Sequence, residues 1–257
     1  MRFFDELYIG VSGYRKAHAM VFKERMWKYL LIPGIIHIAL LAATVFGAWY
    51  LAVDISDWLM SKLSGLFSFS FWPALERITE MFLRFLVGVM IILLYLTTYK
   101  YIILMIMAPV FAYLSEVTQQ RLTGQEYPFN AKQMLNDIIR GILINLRNLV
   151  LEIFWIISIF VFSFIPIIGL LGPFILIVVQ SYFLGFSVID FYMERERLSV
   201  KQSVRFMRKH KGFAIGIGMV FYFLLLIPVL GWFATPIYST IAATVGANKL
   251  RSNELQI

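Results

Sequence analysis

Long apolar runs separated by short basic connections dominate the chain, and the length of each run limits the element it can form. Residues 29–53 are the first run, and its twenty-five residues would rise about 37 Å as a helix against about 30 Å of hydrocarbon. A tilted first transmembrane helix is expected there. Residues 81–100 are the second, with Arg84 near one end and Tyr95, Tyr99, Lys100 and Tyr101 at the other. An aromatic and lysine girdle of this kind marks a membrane interface. Beyond it, residues 101–112 stay apolar almost all round, which predicts burial against other protein or in the interface.

After Pro128, the stretch Asn130-Ala131-Lys132-Gln133 is a side-chain cap with Gln133 at the third helical position, so a helix should start there. Its first half, with Asp137, Arg140 and Arg147, is polar enough for water, whereas Leu149 to Ile165 is apolar except for Glu152. The turn Ile165-Pro166-Ile167-Ile168-Gly169-Leu170-Leu171-Gly172-Pro173 leads into a second apolar arm ending near Ile189. Each arm is expected to run about 25 Å, marginal for a crossing. The Ile-Pro-x-x-Gly start recurs sixty-two residues later. There 213–227 is the arm, Pro228-Val229-Leu230-Gly231-Trp232-Phe233-Ala234-Thr235-Pro236 the turn, and 237–247 the returning arm. At about 16 Å, and with Tyr238, Ser239, Thr240 and Thr244, that arm is too short and too polar to span alone.

The expected architecture is an all-α integral membrane protein, one membrane domain over residues 1–257. Two long transmembrane helices (29–53 and 81–100) are joined by two hemi-penetrating, re-entrant helical hairpins (131–190 and 213–249), with amphipathic cytoplasmic helices at 1–28 and 191–212. Ser199 and Gln202 form a capping box for the connecting helix, and Val200, Val204 and Met207 give it an apolar stripe.

Charge sets the orientation. Lys and Arg number six in residues 1–28, five in 100–148, seven in 190–212 and two after 248, against three in 54–84. Twenty against three places both termini and the two large connections in the cytoplasm. Two crossings with two re-entrant hairpins satisfy that count, as do six crossings with very short outer turns; the short last arm favours the first. Composition agrees, since 60% hydrophobic and 15% charged residues compare with about 45–50% and about 25% in soluble domains. Residues 1–28 lack the apolar core and cleavage site of a signal peptide, so they are expected to be retained.

The absence of cysteine excludes disulfides, cysteine nucleophiles and thiolate metal sites. No His-Glu-x-x-His, phosphate-cradling Gly-rich loop or nucleophile elbow is present, so neither an enzyme nor a cofactor or metal site is expected. The net charge of +8 flanks membrane arms, where anionic lipid rather than nucleic acid is the natural partner. Gly216 and Gly218 in an apolar arm fit close helix packing.

The stretch Ala108-Pro109-Val110-Phe111-Ala112-Tyr113-Leu114-Ser115-Glu116, running on to Arg121-Leu122-Thr123-Gly124, resembles the signature of the CysZ sulfate permeases and the wider etoposide-induced protein 2.4 family. The two Ile-Pro-x-x-Gly turns and the basic connection between them match the family layout, over roughly residues 10–250. The resemblance implies hemi-penetrating hairpins, homo-oligomeric assembly and sulfate entry, channel-like or proton-linked. It also implies a Gly and adjacent arginines just before the first transmembrane helix. Here the chain reads Lys23-Glu24-Arg25-Met26-Trp27-Lys28, with Trp27 and Lys28 in the places of the two arginines.

A passage for a small oxyanion needs positive potential and hydrogen-bond donors shielded from water. Arg25 and Lys28, three apart on one helical face, are the first candidates; the competing reading is positive-inside anchoring, with both side chains snorkelling to lipid phosphate. Gly172 and Thr235 are the second. Each precedes a proline (Pro173, Pro236) where a helix is expected to begin inside the membrane and aim its free N–H groups at an anion. Tight hairpin corners packed in an oligomer are the alternative. His37 is read as a proton relay or, more simply, as a hydrogen bond between helices, and Glu152 as reaching toward Arg147 or water. Glu116 is expected to pair with a cation. A membrane scaffold whose hairpins wedge one leaflet is the rival functional class.

Overall fold

The structure, a computed structural model, describes residues 3–23, 26, 35, 38–39, 58, 61–62, 73–124, 131–227 and 230–255. The expected first transmembrane helix at 29–53, with His37, lies almost entirely outside them, as do Arg25, Lys28, the Asn130 cap and Pro228. Eight helices are described: α1 (Phe3–Lys23), α2 (Pro73–Ile106), α3 (Ala108–Thr123), α4 (Ala131–Phe162), α5 (Pro166–Arg195), α6 (Val200–Lys209), α7 (Lys211–Leu225) and α8 (Leu230–Leu255). The chain divides into two units, Ile38–Lys100 and the remainder.

In the first unit, α2 presents Met81, Phe82, Phe85, Val89 and Leu96 outward. An apolar exterior on a helix of this length suits lipid. Thr98 returns its hydroxyl to the Leu94 carbonyl at 2.8 Å, and the Tyr95 and Tyr99 rings stack with centroids 6.4 Å apart.

In the larger unit, α2 ends where Ala108-Pro109 begins α3. Met107 is a turn residue and the proline sits in the first helical turn, where its missing N–H is no loss. The all-round apolarity of 101–112 is used as expected for much of its length, with Tyr101, Ile103, Leu104, Met107 and Phe111 buried. Gly124 closes α3 at φ 71, its N–H bonded to the Gln120 carbonyl. Ser199 and Gln202 form the expected reciprocal capping box on α6.

The core is built on α7, which packs against α1, α5 and α8 at backbone distance. A Cβ on Gly218 would overlap the Ser181 carbonyl of α5, and one on Gly185 of α5 would overlap the Ala214 carbonyl of α7. On the other side, a Cβ on Gly216 would come within 2.5 Å of the Leu7 carbonyl of α1, and one on Gly10 within 2.9 Å of the Phe213 carbonyl. Small residues at a seam allow this approach and multiply dispersion contacts where lipid supplies no hydrophobic drive. Tyr14 of α1 donates to the Ile217 carbonyl at 2.7 Å and meets the Ser239 hydroxyl of α8 at 2.8 Å, tying both arms of the second hairpin to the N-terminal helix. Burial pushes its phenol well above the ordinary value, so it stays a neutral donor.

Both Ile-Pro-x-x-Gly turns use their glycine for a close return of the chain. A Cβ on Gly169 would overlap the Ser163 carbonyl, and one on Gly231 the Leu224 carbonyl. The helices that follow begin earlier than the sequence suggested. α5 starts at Pro166 and carries Pro173 inside it; α8 starts at Leu230 and carries Pro236 inside it. At Pro173 the reason is local: Gly172 has no Cβ to clash with the proline ring, so the residue before the proline keeps helical geometry. The helices of the first hairpin extend well beyond its two apolar arms. At 32 and 30 residues, α4 and α5 rise about 48 Å and 45 Å.

Among the described residues, three helices are long and apolar enough to cross a membrane, over Gly88–Ile106, Asn136–Phe162 and Gly169–Arg195. α7, with 15 residues, rises only about 22 Å. Replacing Gly218 with Ala should force α7 from α5 and cost about 1–3 kcal/mol, read as a lowered unfolding temperature in detergent. Gly88→Ala, where nothing lies within 4 Å of the added carbon, should leave stability intact. Equal behaviour of the two variants would contradict the packing.

Candidate functional site

The arms of the first hairpin carry polar residues at one shared spacing. Asn145, Asn148 and Glu152 on α4, and Ser187, Asp190 and Glu194 on α5, are each three and then four apart, which puts each set on one helical face. All six are buried. The outward positions of the same helices are apolar, among them Val150, Phe154, Val161, Leu170 and Phe174. The hairpin is therefore polar within and apolar without.

At one end of this seam Arg140 makes a fork. Its Nη1 and Nη2 donate to the two carboxylate oxygens of Asp190 at 3.1 and 2.8 Å, Nη2 also to Ser203 Oγ at 2.6 Å, and Nε to the Leu198 carbonyl at 2.6 Å. The residue expected in water thus joins α4, α5 and α6. Where α5 continues to Arg195, the 196–199 turn brings α6 back over α4 and encloses the guanidinium. A bidentate Arg–carboxylate pair with further hydrogen bonds is the arrangement in which a buried ion pair recovers its desolvation cost.

Further along, Asn148 donates to Ser187 Oγ at 3.2 Å and Tyr101 donates to Glu152 Oε2 at 2.8 Å. Glu152 is fully buried rather than reaching to Arg147 or water. Arg147 instead donates to Asn148 Oδ1 at 2.9 Å and lies 5.7 Å from the centroid of the Phe186 ring. Around this seam, Glu116 finds its expected cation in Arg195 of α5 at 2.8 Å. Ser115 meets Thr244 at 3.0 Å and Gln119 donates to Asn248 at 3.0 Å one turn on, holding α3 against α8. Glu6 and His210 pair at 2.7 Å, both buried, where α1 meets the α6–α7 junction.

Of the residues expected at an anion site, Arg25 and Lys28 lie outside the described residues, and Gly172 and Thr235 do not begin helices. Gly172 is buried with Ser163 Oγ and Ile159 of its own hairpin beside it, so its role there is space rather than a helix-start donor. Thr235 is buried six positions into α8, and its Oγ1 has no hydrogen-bond partner among the described residues. Neither begins a helix. Of the signature residues, Ala108 and Leu114 are buried. The α4–α5 seam was missed, although its matched three-and-four spacing inside apolar arms is visible in the sequence.

Spanning helices with apolar outer faces and paired ionisable groups inside define a polytopic helical membrane protein with a polar interior, because unpaired charge is not tolerated against lipid. A sequence profile described as "Sulfate transporter CysZ/Etoposide-induced protein 2.4" matches residues 14–236, and the chain belongs to that family. It is similar to the protein named "Sulfate transporter CysZ" of Pseudomonas fluorescens (strain Pf0-1), 22% identical over 248 residues, which cover 93% of this chain and 90% of that one.

Removing one partner of the Arg140–Asp190 pair should be costly. Asp190→Ala strands the guanidinium and should destabilise by about 3–5 kcal/mol, whereas Arg140→Met with Asp190→Leu should restore much of the loss. Thermal unfolding of purified variants in detergent measures both. A silent Asp190→Ala would show that the fork carries no stability.

Proposed function

We propose that the chain is a passage for a small inorganic oxyanion, with sulfate as its principal substrate. The observation that carries this reading is the near full-length similarity to a protein named as a sulfate transporter. The polar seam inside an apolar hairpin supports it, since ionisable groups held within spanning helices mark ion pathways. In this reading Arg25 and Lys28, at the entrance to the first transmembrane helix, hold a divalent anion by charge-assisted hydrogen bonds. The buried Thr235 hydroxyl is a donor left for the anion in the second hairpin, and Gly172 leaves the room beside Ser163 that the first hairpin needs to close.

The assembly is a homo-oligomer in the bacterial inner membrane with both termini cytoplasmic. Its second hairpin is re-entrant, because α7 is shorter than the hydrocarbon is thick. Irregular backbone at such a tip has to be covered by protein or line a cavity, which gives the oligomer its structural purpose.

Uptake of radiolabelled sulfate into liposomes containing the purified protein tests the function. Uptake above that of empty liposomes is expected, with unlabelled sulfate competing better than chloride. Arg25→Ala or Lys28→Ala should weaken apparent affinity by about tenfold, the effect of losing one charge-assisted bond in a shielded place. Folded protein that moves no anion would leave the scaffold reading instead.

A further inference from the structure

We propose that Arg197, Lys201, Arg205 and Arg208 form a preset basic row that docks the phosphate headgroups of anionic phospholipid where α5 leaves the membrane. The row stands whether or not the chain carries sulfate, because it belongs to the outer face of α6 and not to the polar seam.

One member of the row is held at a backbone cost. α5 closes in a Schellman turn, with the Leu198 N–H donating to the Met193 carbonyl at 3.1 Å and the Arg197 N–H to the Glu194 carbonyl at 3.0 Å. Such a turn puts the residue after its C-cap in the left-handed region that favours glycine, and here that residue is Arg197, at φ 54. Among the described residues no other non-glycine residue has a positive φ. The Arg197 side chain is exposed and has no hydrogen bond or carboxylate among the described residues, while the neighbouring Glu196 is taken by Arg251.

Lys201, Arg205 and Arg208 are exposed too, and their spacing of four and then three carries them along one face of α6. Like charges at that spacing oppose a helix, and none of the three has a carboxylate partner among the described residues. The face is fixed from behind. The Ser199–Gln202 box starts α6, Ser203 and Met207 are buried, and Arg140 donates to Ser203 Oγ and to the Leu198 carbonyl, both at 2.6 Å. A left-handed arginine and a run of like charges, kept together on one outer face, point to an anion outside the fold.

Position selects the headgroup. The apolar span of α5, Gly169–Arg195, ends two residues before Arg197, and the next apolar helix, α7, begins at Lys211. α6 is thereby held at the membrane boundary, and the field of anionic headgroups acts over about 10 Å. The buried side of α6 is spent on protein, so the contact is one of charge without insertion. A soluble acidic protein would match the charge, but nothing in the fold holds it there.

Equilibrium binding of labelled phosphatidylglycerol to the full chain in neutral detergent tests the row, with phosphatidylcholine as the neutral competitor. Arg197→Gly separates docking from folding. Glycine relieves the left-handed turn, so the unfolding temperature should not fall, while affinity for phosphatidylglycerol should drop about fivefold, the effect of one cation at an anionic surface. Arg205→Gln should lose as much. Arg197→Lys keeps the charge and should bind as the wild type does. Sulfate should displace the lipid no better than chloride at equal ionic strength, because a row on an open face encloses no single ion; preferential displacement by sulfate would make these residues an ion site and overturn the docking. The docking is also overturned if the wild type prefers phosphatidylglycerol no more than phosphatidylcholine, or if Arg197→Gly and Arg205→Gln bind it as the wild type does, which would leave the row to a soluble acidic partner.

Discussion

The backbone contact of α7 with α1 on one side and α5 on the other is the constraint on which the larger unit depends. A 15-residue helix has little side-chain area to offer, so its hold on its neighbours comes from glycines that let carbonyls and Cα atoms meet directly. Once Gly218 and Gly185 fix α7 against α5, the azimuth of α5 is fixed as well. Its opposite face, Ser187, Asp190 and Glu194, is then available to α4 and α6 and to the end of α2. The glycine seam and the polar seam are two sides of one helix.

That arrangement explains why ionisable groups survive among apolar arms. Asp190 answers Arg140, Glu152 answers Tyr101, and Arg195 answers Glu116, so each of these groups has a partner that makes its burial tolerable. Such pairs give orientation more than net stability. Arg140 alone fixes the relative positions of α4, α5 and α6 through four donors, which keeps the amphipathic α6 lying over the end of the hairpin.

Much of this was legible in the sequence where the determinant is local. The Ser199–Gln202 capping box and the packing role of Gly216 and Gly218 depend on a few adjacent residues, and each appears as expected. The proline corners did not read correctly, because a proline need not begin a helix: Gly172 relieves the clash before Pro173, and α8 runs through Pro236 although Thr235 precedes it. Arg140 looked solvated because its partners, Asp190, Leu198 and Ser203, lie fifty or more residues away. Thr235 and Gly172 were selected on a helix start that the longer α8 and α5 remove. Three-and-four spacing of polar residues in both arms of one hairpin would have exposed the seam.

The polar interior of the first hairpin is what the proposal of an oxyanion passage rests on structurally, and that proposal is the account's central claim. The most direct measurement is anomalous diffraction from crystals of the full chain soaked in selenate, which has the shape and charge of sulfate and a scattering signal of its own. The account predicts a selenium peak within hydrogen-bonding distance of Arg25, Lys28 or the Thr235 hydroxyl. Ordered side chains at these residues, with no selenium peak beside them or anywhere along the polar face of α5, would contradict it.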